Sequence, residues 1–105
     1  MFCLIYRFRV KQEEDERFMK AWSEVTTAFV ETSGALGSRL HLSDSQEYIA
    51  YAQWPSRNVR DTAELPESVK EGAFVAMRDC CESIETLHEL TPIVDHLKPV
   101  RAIDS

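Results

Sequence analysis

Residues 36–54 confine this chain to a narrow set of folds, because they spell two alternating strands with a polar turn between them. Leu36, Ser38, Leu40 and Leu42 share one face of the first strand, and Arg39 and His41 share the other. After Ser43-Asp44-Ser45-Gln46 the pattern repeats, with Tyr48, Ala50, Ala52 and Trp54 on the first face and Ile49, Tyr51 and Gln53 opposite. Pro55 stops the second strand, since it has no N–H to give the ladder. Ser56 then suits the N-cap of a short helix over 57–64.

A strand and a helix stand on either side of this hairpin. Residues 2–10 alternate, with Leu4, Tyr6, Phe8 and Val10 on one face and Cys3, Ile5, Arg7 and Arg9 on the other. Over 12–32 the period changes. Phe18, Trp22, Val25 and Phe29 recur at four, three and four residues, the stripe of an amphipathic helix. Glu13, Glu14, Asp15 and Glu16 occupy its first turns, where acidic groups suit the positive end of the dipole, and Gly34 is a suitable stop. Beyond the hairpin, Leu65-Pro66 interrupts the chain and a longer helix begins at Glu67 or Ser68. Val69, Ala73, Ala76, Met77 and Cys80 give it a stripe. Residues 84–97 admit a helical spacing through Ile84, Leu87, Leu90 and Val94, but Thr86, Thr91 and Pro92 favour a strand bent near Pro92.

The order is therefore β-α-β-β-α-β. Two interleaved right-handed β-α-β units predict an α+β, ferredoxin-like domain, a four-stranded antiparallel sheet with both long helices on one face. The uncovered face carries Ile5 and Ile49 among polar neighbours. Two copies packed through these open faces, as a dimeric α/β barrel, would cover it. A solvated open face is the alternative that antiparallel sheets tolerate. The homodimer is the expectation.

Composition narrows the partners. A chain of 105 residues supports a single domain, 1–105, with a short tail over 98–105. A net charge of −6 disfavours nucleic acid as a partner. No run of about 18 apolar residues exists, so no membrane partner is expected. Arg7 and Arg9 interrupt the apolar start and no small-residue cleavage site follows, which argues against a secretory signal. Cys3, Cys80 and Cys81, an odd set without framework spacing, fit a reducing cytoplasm. Cys80 and Cys81, adjacent on the expected helix, would point about 100° apart, one inward and one outward. No metal-ligand pair, phosphate loop or dinucleotide fingerprint is present, so no cofactor is expected.

Tyr6-Arg7-Phe8-Arg9-Val10-Lys11, the helix with Phe18 and Trp22, Gly37-Ser38-Arg39-Leu40-His41, and the run from Tyr48 through Trp54-Pro55-Ser56 together resemble the antibiotic-biosynthesis-monooxygenase-like family of dimeric α/β barrels. The resemblance spans about residues 2–95. That family includes cofactor-independent oxygenases of phenolic polycyclic substrates, haem-degrading members and members without known activity. The haem-degrading branch uses an Asn on the first strand and a Trp and a His on helices after the third. Here Tyr6 stands at the matching strand position and residues 56–81 hold neither Trp nor His, so that branch is not implied. Trp54 matches the tryptophan common across the family. The resemblance implies a cofactor-independent monooxygenase acting on a small phenolic or quinol-like aromatic. A non-catalytic small-molecule-binding or stress-related dimer is the alternative, and an isomerase-like proton shuttle on a lactone or enol is a third reading.

The resemblance also implies a cavity between the sheet and the helices. Tyr6, Trp22, Tyr48 and Trp54 are the candidate substrate-binding residues, with Phe8, Phe18, Phe29 and Met77 beside them. The same side chains would equally fill an ordinary core. Cofactor-free oxygenation needs a base and donors that hold an anion in a dry site. His41, Arg39 and Tyr51 are the candidate catalytic residues, and His88 is a further possible base. Strict alternation points Arg39, His41 and Tyr51 away from the Leu40 and Trp54 face, toward the dimer interior. Arg7, Arg9, Arg39 and His41 gather on that face, either as an anion site between subunits or as cross-strand partners of Glu85 or Glu89. His96 is expected to be exposed.

Overall fold

A computed structural model describes residues 1–98. Strand β1 (Phe2–Val10) leads into helix α1 (Asp15–Ser33) and the hairpin β2 (Gly37–Leu42) and β3 (Tyr48–Trp54). Helix α2 (Arg57–Asp61) follows, then α3 (Glu67–Val69), a π-helical turn (Lys70–Phe74), α4 (Val75–Asp79) and β4 (Cys81–Leu90). The four strands pair antiparallel in the order β2-β3-β1-β4, the ferredoxin-like βαββαβ arrangement. Apart from Lys98, the tail expected over 98–105 lies outside the described residues.

Local chemistry explains most of the boundaries. Helix α1 ends at Gly34, whose φ of 78° is left-handed and whose N–H donates to the Phe29 carbonyl. A Cβ at Gly34 would meet Val59 at an ordinary 3.5 Å, so backbone conformation, not space, favours glycine here. In the hairpin turn the Ser43 hydroxyl accepts from the Glu47 N–H, and Gln46 takes a φ of 65°. Ser56 caps α2 by accepting from the Val59 N–H at 3.1 Å.

The core lies where the helices meet the sheet. Phe18 on α1 is fully buried, with the rings of Phe8 and Tyr48 each 5.1 Å away. Complete burial of such a side chain stabilises by about 1.5–3 kcal/mol. Ala21, Val25, Met77, Cys80 and Cys81 close this cluster. A second cluster joins Phe2, Leu4, Ala52 and Trp54. Tyr48 donates its hydroxyl to Asp15 Oδ2 at 2.6 Å, tying the start of α1 to β3.

Two expectations about the C-terminal half are corrected. The last strand begins at Cys81 and ends at Leu90, so residues 91–97 are not its continuation. Cys80 is the last residue before the strand and Cys81 the first within it, and both are buried, not one inward and one outward. The pairing of β4 with β1 also slips twice: Ile5 faces His88 while Tyr6 faces Thr86, leaving Leu87 as an extra residue, and Arg9 faces Ser83 while Val10 faces Cys81, leaving Glu82 as another. Glu85 therefore stays on the open face, where it accepts from Arg7 at 2.9 Å through both carboxylate oxygens. Glu89, moved to the helix side, pairs with Arg57 at 2.7 Å instead. Arg9 pairs with Glu47 at 2.9 Å, a partner the hairpin turn supplies. Among the described residues, no helix is long and apolar enough to cross a membrane.

The Tyr48–Asp15 bond generates a pH prediction. The carboxylate beside it, with burial, raises the Tyr48 phenol from its ordinary 10.0 to about 12. The fold thus holds this proton more tightly than the unfolded chain does. Its contribution is complete below pH 10.0 and is lost as the pH rises toward about 12. Tyr48→Phe should cost about 1 kcal/mol at neutral pH by urea unfolding. It should also flatten the alkaline loss of stability; an unchanged alkaline profile would show that Tyr48 is not its source.

Candidate functional site

The sheet's helix-facing side is uneven in height, and that unevenness opens a cavity. Tyr6 and Phe8 stand tall on β1, whereas β3 offers Ala50 and Ala52 directly across from Tyr6 and Leu4. Gly37 and Ser38 keep the neighbouring part of β2 low as well. Trp22, Val25, Thr26 and Phe29 from α1 face this floor, and Phe74 and Met77 come from the second helical run. The cavity measures about 310 Å³. Trp54 closes one end, its ring edge-on to Phe29 with centroids 5.4 Å apart.

The charge of the cavity sits at one place. Arg60 Nη2 donates to the Tyr6 hydroxyl at 3.3 Å, and Nη1 donates to Asp61 Oδ1 at 3.3 Å. The bond to Tyr6 holds the Arg60 guanidinium above its ordinary value, so it stays a cation. Its side chain retains 33% exposure, which sets it where the cavity meets solvent. The Ser38 hydroxyl is occupied with the Tyr51 carbonyl at 3.0 Å. Among the described lining residues Arg60 is the single charged side chain, and no His, Asp, Glu or Cys joins it.

Helix α2 holds Arg60 there. Ser56 caps the helix, and Arg57 bonds Glu89 on β4 while its guanidinium lies 4.4 Å from the centre of the Phe2 ring. The π-helical turn brings Phe74 to the cavity alongside Met77. Such turns are rare and cluster at functional sites.

The residues singled out in the sequence divide between the two sheet faces. Tyr6, Trp22 and Trp54 line the cavity, together with Phe8, Phe29 and Met77. Tyr48 and Phe18 sit in the packed core beside it and do not line it. Arg39, His41 and Tyr51 occupy the face away from the helices, where each pairs across strands with its neighbours. Arg39 is exposed and, among the described residues, has no ion pair. His41 donates from Nδ1 to the Ile49 carbonyl at 3.0 Å. The Tyr51 hydroxyl lies 3.2 Å from Cys3 Sγ and accepts from Gln53 Nε2 at 3.1 Å. The bond to Cys3 raises the Tyr51 phenol above its ordinary value. His88 and His96 are exposed. Arg60 and Phe74 escaped sequence reasoning, since a five-residue helix and a five-residue π-helical turn give too little periodicity to show which side faces inward. The usable signal for Arg60 was its place six residues after Trp54, beyond the Pro55-Ser56 start.

Comparison with known proteins agrees with this fold. A family model described as antibiotic biosynthesis monooxygenase matches residues 1–64. SnoaB, a cofactor-independent oxygenase from Streptomyces nogalater, superposes with a TM-score of 0.74 at 15% identity, over 92% of this chain and 97% of SnoaB. Rv0793 from Mycobacterium tuberculosis gives 0.66 at 15% identity, over 91% of this chain and 98% of its own. A conserved protein from Methanosarcina mazei gives 0.66 at 15% identity, over 85% and 87%. At these identities the likeness establishes the fold. No curated protein matches the sequence.

The three thiols stand apart from this cavity. Cys3, Cys80 and Cys81 are all free and buried. Burial, with Cys80 adjacent, pushes the Cys81 thiol up to about 11, and burial also raises Cys80. Among the described residues no group of three or more His, Cys, Asp or Glu side chains could hold a metal ion. Iodoacetamide at neutral pH should therefore leave the native protein unlabelled, and urea should expose all three thiols to it. Rapid native labelling at Cys80 or Cys81 would contradict this packing.

Proposed function

Because the chain belongs to the antibiotic biosynthesis monooxygenase family, we propose that its cavity holds a small phenolic or quinol-like aromatic and that the protein oxygenates it without metal or flavin. The supporting observation is the cavity itself: about 310 Å³, walled by aromatic rings, with its one charged group among the described lining residues, Arg60, bonded to the Tyr6 hydroxyl. Ligand pockets run from about 300 to 1,000 Å³, so this one suits one or two fused rings.

The chemistry asks little of the protein beyond placement. A phenol that has lost its proton is electron-rich enough to reduce dioxygen itself. With an open para carbon, one phenol and one O₂ give one quinone and one water. One oxygen atom forms the new C=O at that carbon. The other leaves as water with the phenolic and para hydrogens, the ring having given up four electrons. Trp22, Phe29, Trp54 and Phe74 would hold the ring and keep water from its face, while the proton leaves through the open mouth. The Tyr6 hydroxyl and Arg60 would meet the phenolic oxygen, where positive charge favours the oxyanion. In this reading the protein is a homodimer, and the face with Arg39, His41 and Tyr51 packs between subunits.

One observation favours a second reading, a dimer that binds an aromatic without turning it over. The described lining contains no His, carboxylate or thiol to act as a base. An oxygen electrode separates the two with 1-naphthol as probe. The oxygenase reading expects one O₂ consumed per 1,4-naphthoquinone formed, without added metal or flavin. Native mass spectrometry should give twice the 12.1 kDa chain mass. Ala52→Leu, which fills the cavity from its floor, should lower turnover roughly tenfold or more while the dimer persists. Binding of 1-naphthol without oxygen uptake would support the second reading, and turnover that requires flavin or metal would defeat the first.

A further inference from the structure

We infer that Arg60 and Tyr6 form an oxyanion receptor at the mouth of the cavity, so that the site selects small planar aromatics presenting an anionic oxygen over neutral analogues of the same shape. The inference rests on reading the cavity as the ligand site and deepens it by naming what the ligand must carry.

Charge distribution carries the argument. Arg60 is the single charged group among the described lining residues, and nothing anionic inside the cavity competes for it. Its nearest carboxylate, Asp61, is exposed and meets only Nη1, at 3.3 Å. Nη2 is directed to the Tyr6 hydroxyl, which faces the cavity from the central strand β1. A guanidinium presents five N–H donors, so these contacts leave donors free for a ligand oxygen. The tyrosine hydroxyl, held as an acceptor by Arg60, keeps its own hydrogen to give. Receptor and apolar chamber thus match the two ends of one ligand, an aromatic body and an anionic oxygen.

Placement is secured from outside the cavity. Arg57, three residues earlier on the same helix, grips Glu89 at 2.7 Å and covers Phe2 at 4.4 Å. A neutral carboxamide of equal shape would offer the cation a carbonyl acceptor but no opposite charge. Hydrogen bonds to charged groups therefore separate the two ligands by roughly tenfold in affinity.

A phenolate or a carboxylate would satisfy this receptor, and the test distinguishes them. Quenching of Trp22 and Trp54 fluorescence reports binding of 2-naphthoate and of its neutral counterpart 2-naphthamide. Absorbance of bound 2-naphthol reports whether it ionises below its free pKa. The expected results are tighter binding of naphthoate than naphthamide by roughly tenfold, or bound 2-naphthol in its ionised form, and the positive arm identifies the source. Arg60→Gln should remove that preference or ionisation, and a urea-unfolding midpoint close to that of the wild type shows that the variant is folded. Naphthamide binding as tightly as naphthoate, with 2-naphthol bound neutral, would overturn the receptor and leave the cavity reading standing. Failure of all three probes to bind would overturn both.

Discussion

Two alanines on the central part of the sheet, Ala50 and Ala52, set what this molecule can contain. Protein interiors are packed to crystal-like density, so a floor this low would normally be met by a longer side chain from above. Here the roof cannot descend. Phe18 wedges α1 against Phe8 and Tyr48, the Tyr48–Asp15 bond fixes its first turn, and Phe29 is braced edge-on by Trp54. The gap of about 310 Å³ is what remains. An unfilled apolar cavity costs stability, a cost that a bound aromatic would offset by binding only the folded state.

The polarity of the cavity depends on a different device. Helix α2 is too short to be stable by itself and is held by contacts at its edges, Ser56 at its start and Arg57 on Glu89 and Phe2. Those contacts turn Arg60 inward toward Tyr6. The chamber is thus apolar by the choice of strand and helix residues and cationic at one point by the docking of a single turn of helix. The opposite sheet face answers different needs. Arg7 and Arg9 there are engaged with Glu85 and Glu47, Arg39 is exposed, and the histidines lie in solvent or on a backbone carbonyl.

Alternation and helical stripes made β1, α1 and the hairpin legible in the sequence, and with them Tyr6, Trp22 and Trp54 at the cavity. What stayed hidden had no periodic signature. The extra residue at Leu87 reverses the facing of Glu89, and no local property of 84–90 announces it. Cys80-Cys81 straddles the end of a helix and the start of a strand because the chain must return to β1, where the Lys11 N–H meets the Cys80 carbonyl at 2.8 Å. Thr91 and Pro92 suggested a strand that continued past Leu90, yet residues 91–97 leave the sheet and Ile93, Val94 and Leu97 are strongly exposed. Arg60 was invisible for a related reason: tertiary contacts, not its own helix, decide where it points.

In the proposed function the ligand sits between the sheet and the helices and not on the open face of the sheet. Chemical-shift mapping with 1-naphthol under nitrogen tests that most directly, because the two faces carry different reporters. The account predicts shifts at the Trp22 and Trp54 indole N–H groups and at the Phe74 and Ala52 amides, with Arg39, His41 and Tyr51 little changed. Shifts concentrated on Arg39, His41 and Tyr51, with the two indoles unmoved, would contradict it.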